Sequence, residues 1–298
     1  MKNKGIFYAL SAYFLWGILP IYWKQLHHVP SFQIFAFRII SSLLFLALVL
    51  TVRKNWTDFK QTVLNRQSLL LFTLTGVLLA INWGVYIWAV NANHIVESSL
   101  GYFINPLVSV ALGVLFLREK LRPMQWVPIS MAAAGVIYLT IQYGALPWIS
   151  LTLAFSFGLY GLLKKIASTG GLYSMTIEMA SLCLPALGYL LLMGSRGEGV
   201  VSTASPTTWL LLITAGAITV IPILLFTAGA RSIPLAMVGI LQYVAPTLQF
   251  LIGVLIYNEP FTRTDLMGYG IVWLALIIFW LEGTLHRRKA AAAQIDNA

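Results

Sequence analysis

Three ionisable residues interrupt apolar runs long enough to cross a membrane: Arg38, Glu97 and Glu178. A charge at membrane depth costs a few kcal/mol and is kept for pairing or for function. Arg38 lies about two turns into its run. Two readings stay open for it: a place on a substrate pathway, or a structural role paired with Glu97 or snorkelling to the headgroups. Glu178 has no cationic partner within its own run, so it is read as functional. It would hold a cationic substrate group or carry a proton whose release tracks conformation.

Polar and aromatic residues extend the pathway. Pro106 and Pro246 fall mid-run beside Asn105 and beside Gln242, Tyr243 and Gln249. A mid-helix proline frees a carbonyl and kinks the helix, which is tolerated where the break faces protein or a water-filled cavity. Asn82, Trp83 and Tyr86, with Trp16, Trp88 and Tyr160, could supply an aromatic and polar wall suited to a flat organic ligand. The expected substrate pathway is therefore Trp16, Arg38, Asn82, Trp83, Tyr86, Glu97, Tyr102, Asn105, Pro106, Tyr160, Glu178, Gln242, Tyr243, Pro246 and Gln249. Gly76, Ala80 and Gly84 form a small-xxx-small face, the pattern of close helix packing.

No catalytic constellation stands beside these residues. The histidines are His27, His28, His94 and His286, three of them in loops or the tail, and Cys183 is the single cysteine. There is no metal-ligand spacing, no glycine-rich phosphate loop and no nucleophile elbow. No cofactor, no metal and no enzymatic activity are expected.

The elements that position these residues follow from composition. Of 298 residues 59% are apolar and 9% charged, with mean hydropathy +0.84, against roughly 25% charged in soluble domains. The solvent must be mostly lipid. The net charge of +10 is spread between apolar runs rather than gathered in a patch, so nucleic acid is not an expected partner. Ten runs have the ~20-residue length of a membrane span: roughly 5–23, 32–52, 68–90, 95–117, 124–141, 147–163, 172–193, 208–229, 234–256 and 267–285. Arg53-Lys54, Arg118-Glu119-Lys120, Lys164-Lys165 and Arg287-Arg288-Lys289 close spans, and Pro30, Pro123, Pro147, Pro206 and Pro234 stand at or before starts. In the longer connection 53–67, Trp56, Phe59 and Val63 share one face of a short helix expected to lie in the interface.

The N-terminal run is read as a first span rather than a signal peptide. Placing the N-terminus in the cytoplasm puts fifteen of the nineteen Lys and Arg on the inner side and three on the outer, with Arg38 within a span. Both termini are then cytoplasmic, in a multi-pass protein of the cytoplasmic (inner) membrane.

The chain repeats itself. A shift of 140 residues carries Pro106, Gly113-Val114-Leu115 and Glu119 onto Pro246, Gly253-Val254-Leu255 and Glu259, and a shift of 141 carries Phe14, Gly17 and Lys24 onto Phe155, Gly158 and Lys165. Glu119 and Glu259 occupy equivalent places, each expected to accept from free N–H groups at the start of the next helix. Five spans per repeat would insert the second copy upside down, the arrangement that supports alternating access. The fold class read here is an all-α integral membrane protein of ten transmembrane helices, as two inverted-topology five-helix repeats over 1–141 and 142–285 and a cytoplasmic tail over 286–298.

The runs Ala12-Tyr13-Phe14-x-Trp16-Gly17, Asn82-Trp83, Ile87-Trp88-Ala89-Val90-Asn91, Ser99-Leu100-Gly101-Tyr102-Phe103-Ile104-Asn105-Pro106-Leu107-Val108, Leu153-Ala154-Phe155-Ser156-Phe157, Gln242-Tyr243-x-x-Pro246-Thr247-Leu248 and Glu259-Pro260 resemble the RarD branch of the EamA family, in the drug/metabolite transporter superfamily. The resemblance covers essentially the whole chain. It implies ten helices in two inverted repeats, a substrate cavity between them and export of metabolites or toxic compounds; the branch carries the label chloramphenicol-sensitive protein. Arg38 and Glu178 match its pattern. The branch often has His before that arginine and Trp three places after it, where this chain has Phe37 and Ser41, so no histidine proton relay carries over. The expected function is a secondary transporter, an exporter of a small organic metabolite or drug, acting as monomer or homodimer in the lipid bilayer. A membrane-embedded enzyme on a lipid-linked substrate and a passive channel are the alternatives.

Overall fold

The computed structural model describes residues 2–91, 95–143, 148–167, 169–202, 204–257, 263, 266–268, 270–271, 273–275 and 277–283. Among them the long regular elements are all α-helices, and no strand occurs. In chain order they are α1 (Lys2–Lys24), α2 (Ser31–Val52), α3 (Trp56–Leu64), α4 (Arg66–Asn91), α5 (Ile95–Leu117), α6 (Trp126–Tyr143), α7 (Trp148–Ile166), α8 (Gly171–Ser195), α9 (Pro206–Ser232), α10 (Leu235–Gln242) and α11 (Val244–Leu255), followed by α12 (Leu266–Gly283). Among the described residues eight helices, against the ten expected runs, are long and apolar enough to cross a membrane: α1, α2, α4, α6, α7, α8, α9 and α12. Shorter apolar stretches cover Gly101–Leu117 and Leu235–Gln249. The side chains of Glu97, Ser99 and Leu100, all of Pro147, His94, Glu259 and Pro260, and the tail from 284 lie outside the described residues.

The ends are built from local chemistry. Ser205 caps α9 by accepting from the Thr208 N–H at 3.2 Å, with Pro206 in the first turn, where no partner for its missing N–H is needed. After α8 the chain turns at Gly197 with φ +74°, a left-handed conformation that suits glycine. In α3, Phe59 and Val63 pack on the cluster of Phe72, Ala167 and Ile177, and Asn55 and Asp58 bond the Tyr173 hydroxyl at 2.7 and 3.2 Å. The short helix is thus held to α4 and α8 as well as facing outward through Trp56.

The two mid-run prolines behave differently. α5 continues through Pro106, whereas the expected span 234–256 is two helices that meet at Tyr243. Pro246 has no N–H for the carbonyl four residues back, which is that of Gln242, so the break falls where the missing bond would have been. Pro20, Pro185 and Pro222 also lie inside helices.

Most packing joins the first half of the chain to the second. α1 packs on α9 and α11, while α7 packs on α4 and α5; α2 packs on α9, while α8 packs on α4; and α2 meets α8 as α5 meets α10. Each pairing has a partner under exchange of α1, α2, α4 and α5 with α7, α8, α9 and α10–α11. α2 and α9 approach closely: a Cβ on Gly216 would lie 2.3 Å from the Ser41 carbonyl carbon and oxygen. On the small-residue face of α4, Gly76 is packed, its Cβ position being 3.2 Å from the Glu178 backbone, but Gly84 has open space. Close packing is confined to one end of that face.

Glu119 does not cap the helix that follows it. Its Oε1 accepts from the Leu235 N–H at 2.6 Å and its Oε2 from the Ala236 N–H at 2.9 Å, at the start of α10. Lys165 Nζ stands 3.7 Å from Glu119 Oε1 and donates to the carbonyls of Ala230 and Ile233. The carboxylate is drawn across the molecule because two free N–H groups and a cation converge there, at the positive end of a helix dipole.

Candidate functional site

Among the described residues two charged centres stand in the helical body, at different levels. The first is Glu178 near the start of α8, fully buried, with Lys164 from the last turn of α7 at 2.6 Å and 1% exposed. Thr75 on α4 donates to Glu178 Oε1 at 2.6 Å, Tyr160 on α7 donates to Oε2 at 3.4 Å, and Lys164 donates to Ser174 Oγ at 2.6 Å. Lys164 Nζ also lies 5.2 Å from the Tyr160 ring and 5.8 Å from that of Phe72. Burying two charges costs several kcal/mol each, which attraction and hydrogen bonds must offset together. These partners supply both.

The cation was not legible as such: Lys164 stands in the pair Lys164-Lys165, which reads as the close of a span. Its spacing from Tyr160, four residues on one helix face, was the available signal. Glu178 therefore has a cationic partner, contributed by another helix.

The second centre is Arg38, half-buried in the first half of α2. Its guanidinium carbon is 4.7 Å from the Trp23 ring centroid and 4.5 Å from that of Trp83, and Nε donates to Thr219 Oγ1 at 3.2 Å. Tyr22, Tyr86 and Tyr102 are close enough to interact electrostatically with it, and the Tyr86 and Tyr102 rings meet edge to face at 5.7 Å. Trp23, Tyr22 and Thr219 were missed from sequence, because aromatics at a span end read first as an interfacial belt. Tyr22 also lines an apolar cavity of about 370 Å³ between α1 and α9, with Leu15, Ile18, Leu19, Ile218 and Pro222 among its walls.

An aromatic cluster fills the interior beside the buried pair. Trp16 lies 5.6 Å from both Phe157 and Phe226, and Tyr160 stacks on Phe226 at 6.2 Å with 17° between planes. Tyr13 joins it at 5.7 Å from Trp16; its hydroxyl is buried with no hydrogen-bond partner among the described residues. Trp83 follows Thr75 on α4 by about two turns, some 12 Å along the axis, so the two centres lie at separate depths.

The remaining expected residues sort by what they touch. Asn82 donates to the Leu153 carbonyl at 2.9 Å and to Ser156 Oγ at 3.0 Å, tying α4 to α7. Asn105 is buried, 3.4 Å from Ser109 Oγ. Tyr243 donates to the Phe103 carbonyl at 3.2 Å, and a Cβ on Gly239 would come within 2.6 Å of the Pro106 oxygen, so α5 and α10 cross tightly there. Gln249 donates to the Trp16 carbonyl at 3.1 Å, and Gln242 and Pro246 are buried. Among the described residues no three His, Cys, Asp or Glu side chains group as metal ligands.

Residues 3–141 and 146–281 each match the EamA-like transporter family. The chain is 46% identical to "Uncharacterized transporter YojE" of Bacillus subtilis (strain 168) over 97% of both chains. It is 42% identical to "Protein RarD" of Streptomyces exfoliatus, over 98% of this chain and 92% of that one. A crystal structure 18% identical aligns over 93% of this chain and 97% of its own with a TM-score of 0.72, a likeness of fold alone.

Proposed function

The chain belongs to the EamA-like transporter family, and from that premise we propose that it is a secondary transporter that exports a small organic metabolite or drug across the cytoplasmic membrane. Its two halves, 1–141 and 142–285, are inverted five-helix repeats that alternate access to a central pathway, with both termini in the cytoplasm. Two separate matches to one family and the exchange-paired helix packing support the repeat.

One observation carries the reading. The Arg38 centre is partly open, whereas the Lys164–Glu178 centre, deeper along α4 and beside the aromatic cluster, is sealed. Unequal exposure of two charged centres at different depths is what one end-state of an alternating carrier would present.

Glu178 is the coupling residue. Protonating its carboxylate leaves Lys164 without its counter-charge in a buried site, a state the surrounding helices must relieve by moving. Thr75, Tyr160 and Lys164 reach Glu178 from α4 and α7, so α8 is the element whose position this proton governs. The test is substrate flux in proteoliposomes with and without an imposed pH gradient. Gradient-driven accumulation is expected in the wild type; a flux indifferent to the gradient refutes the coupling.

A further inference from the structure

We infer that Arg38 is the receptor for the carboxylate of a small organic acid with a flat apolar body, a substrate class that rests on the transporter reading above. The charge inventory points this way. Lys164 has Glu178, Arg122 has Glu282 at 2.6 Å and Lys165 has Glu119. No carboxylate among the described residues pairs with Arg38. The indoles of Trp23 and Trp83 stand 4.7 and 4.5 Å from its guanidinium carbon; their π-clouds attract the cation but leave its charge formally unbalanced.

The hydrogen-bonding edge is only partly used. Nε is taken by Thr219, and the terminal N–H groups, which have no hydrogen-bond partner among the described residues, lie in the guanidinium plane. That fork matches a carboxylate, one negative charge against one positive, in two parallel hydrogen bonds. The ligand's apolar body would lie against Tyr86 and Tyr102, whose rings meet edge to face at 5.7 Å. A cationic or neutral ligand would leave the fork unmatched in a partly desolvated place.

Equilibrium binding to the purified protein in detergent tests this with indole-3-acetate, its neutral amide and tryptamine. The acid should bind at least about tenfold more tightly than the amide, since a hydrogen-bonded charge contributes on that scale, and the amine weakest. R38Q should erase the preference for acid over amide while keeping the thermal transition, and R38K should keep the preference at lower affinity. Equal affinity for acid and amide overturns the proposal, as does a preference that survives in R38Q. So does a preference that emerges only in E97Q, which would make Glu97 the resident partner of Arg38. Counterflow of labelled acid in proteoliposomes separates the two readings. Acid preference without counterflow keeps the site and refutes transport, and counterflow of another solute without acid preference does the reverse.

Discussion

Lys164 and Glu178 meet at 2.6 Å from neighbouring helices, and neither side chain reaches the surface. A pair so placed is costly to break from one side and tolerable to replace whole. Glu178→Leu alone should lower stability by about 3–5 kcal/mol, with Lys164→Met alone similar in sign. The double variant should recover most of the loss. A double-mutant cycle on thermal or denaturant unfolding in detergent checks this, and additive losses would show that the two side chains act independently.

Glu119 joins the loop after α5 to the start of α10 and to Lys165. Glu119→Gln keeps the shape but removes the charge that strengthens both N–H bonds and the ion pair. A loss of about 1–3 kcal/mol is expected in unfolding experiments. Glu119→Asp, too short to reach both N–H groups, should restore little of it.

Gly216 and Gly84 make a contrasting pair. A methyl at Gly216 would collide with the Ser41 backbone, while one at Gly84 meets nothing within 4 Å. Gly216→Ala should destabilise by about 1–3 kcal/mol through the forced separation of α2 and α9. Gly84→Ala should be neutral or stabilise by up to about 1 kcal/mol through helix propensity. Melting temperatures of the two variants, compared side by side, decide it.

Pro246 sets the break between α10 and α11 by leaving the Gln242 carbonyl without its helical partner. Pro246→Ala restores that N–H. Stability should hold or rise, and transport should fall, because the break at Tyr243 and its bond to the Phe103 carbonyl would be straightened out. Unchanged transport would remove the break from the pathway.

Much of this architecture is legible in the chain because hydropathy and proline placement are local signals. The expected runs at 5–23, 32–52 and 208–229 coincide closely with α1, α2 and α9. Arg38 with Trp83, and Glu178 with Tyr160, were also marked by residue type. What escaped was set by contacts between residues far apart in sequence. Glu119 reaches Leu235 across 116 positions, Thr75 reaches Glu178 across 103 and Arg38 reaches Thr219 across 181. Lys164 was masked by standing beside Lys165, since a basic pair at the end of an apolar run is a topology signal. The Gly76–Gly84 pattern showed which face is small, not how far along it α8 stays close.

Coupling of transport to a proton carried by Glu178 is decided by accumulation in proteoliposomes. Wild type and Glu178→Gln would be reconstituted at equal density and given labelled acid outside, with the uptake of protein-free liposomes subtracted. Uptake would then be followed with a pH gradient imposed and with the gradient collapsed. The wild type should concentrate the substrate only under the gradient, while Glu178→Gln, still able to bind it, should concentrate nothing. Gradient-driven accumulation by Glu178→Gln equal to that of the wild type would contradict it.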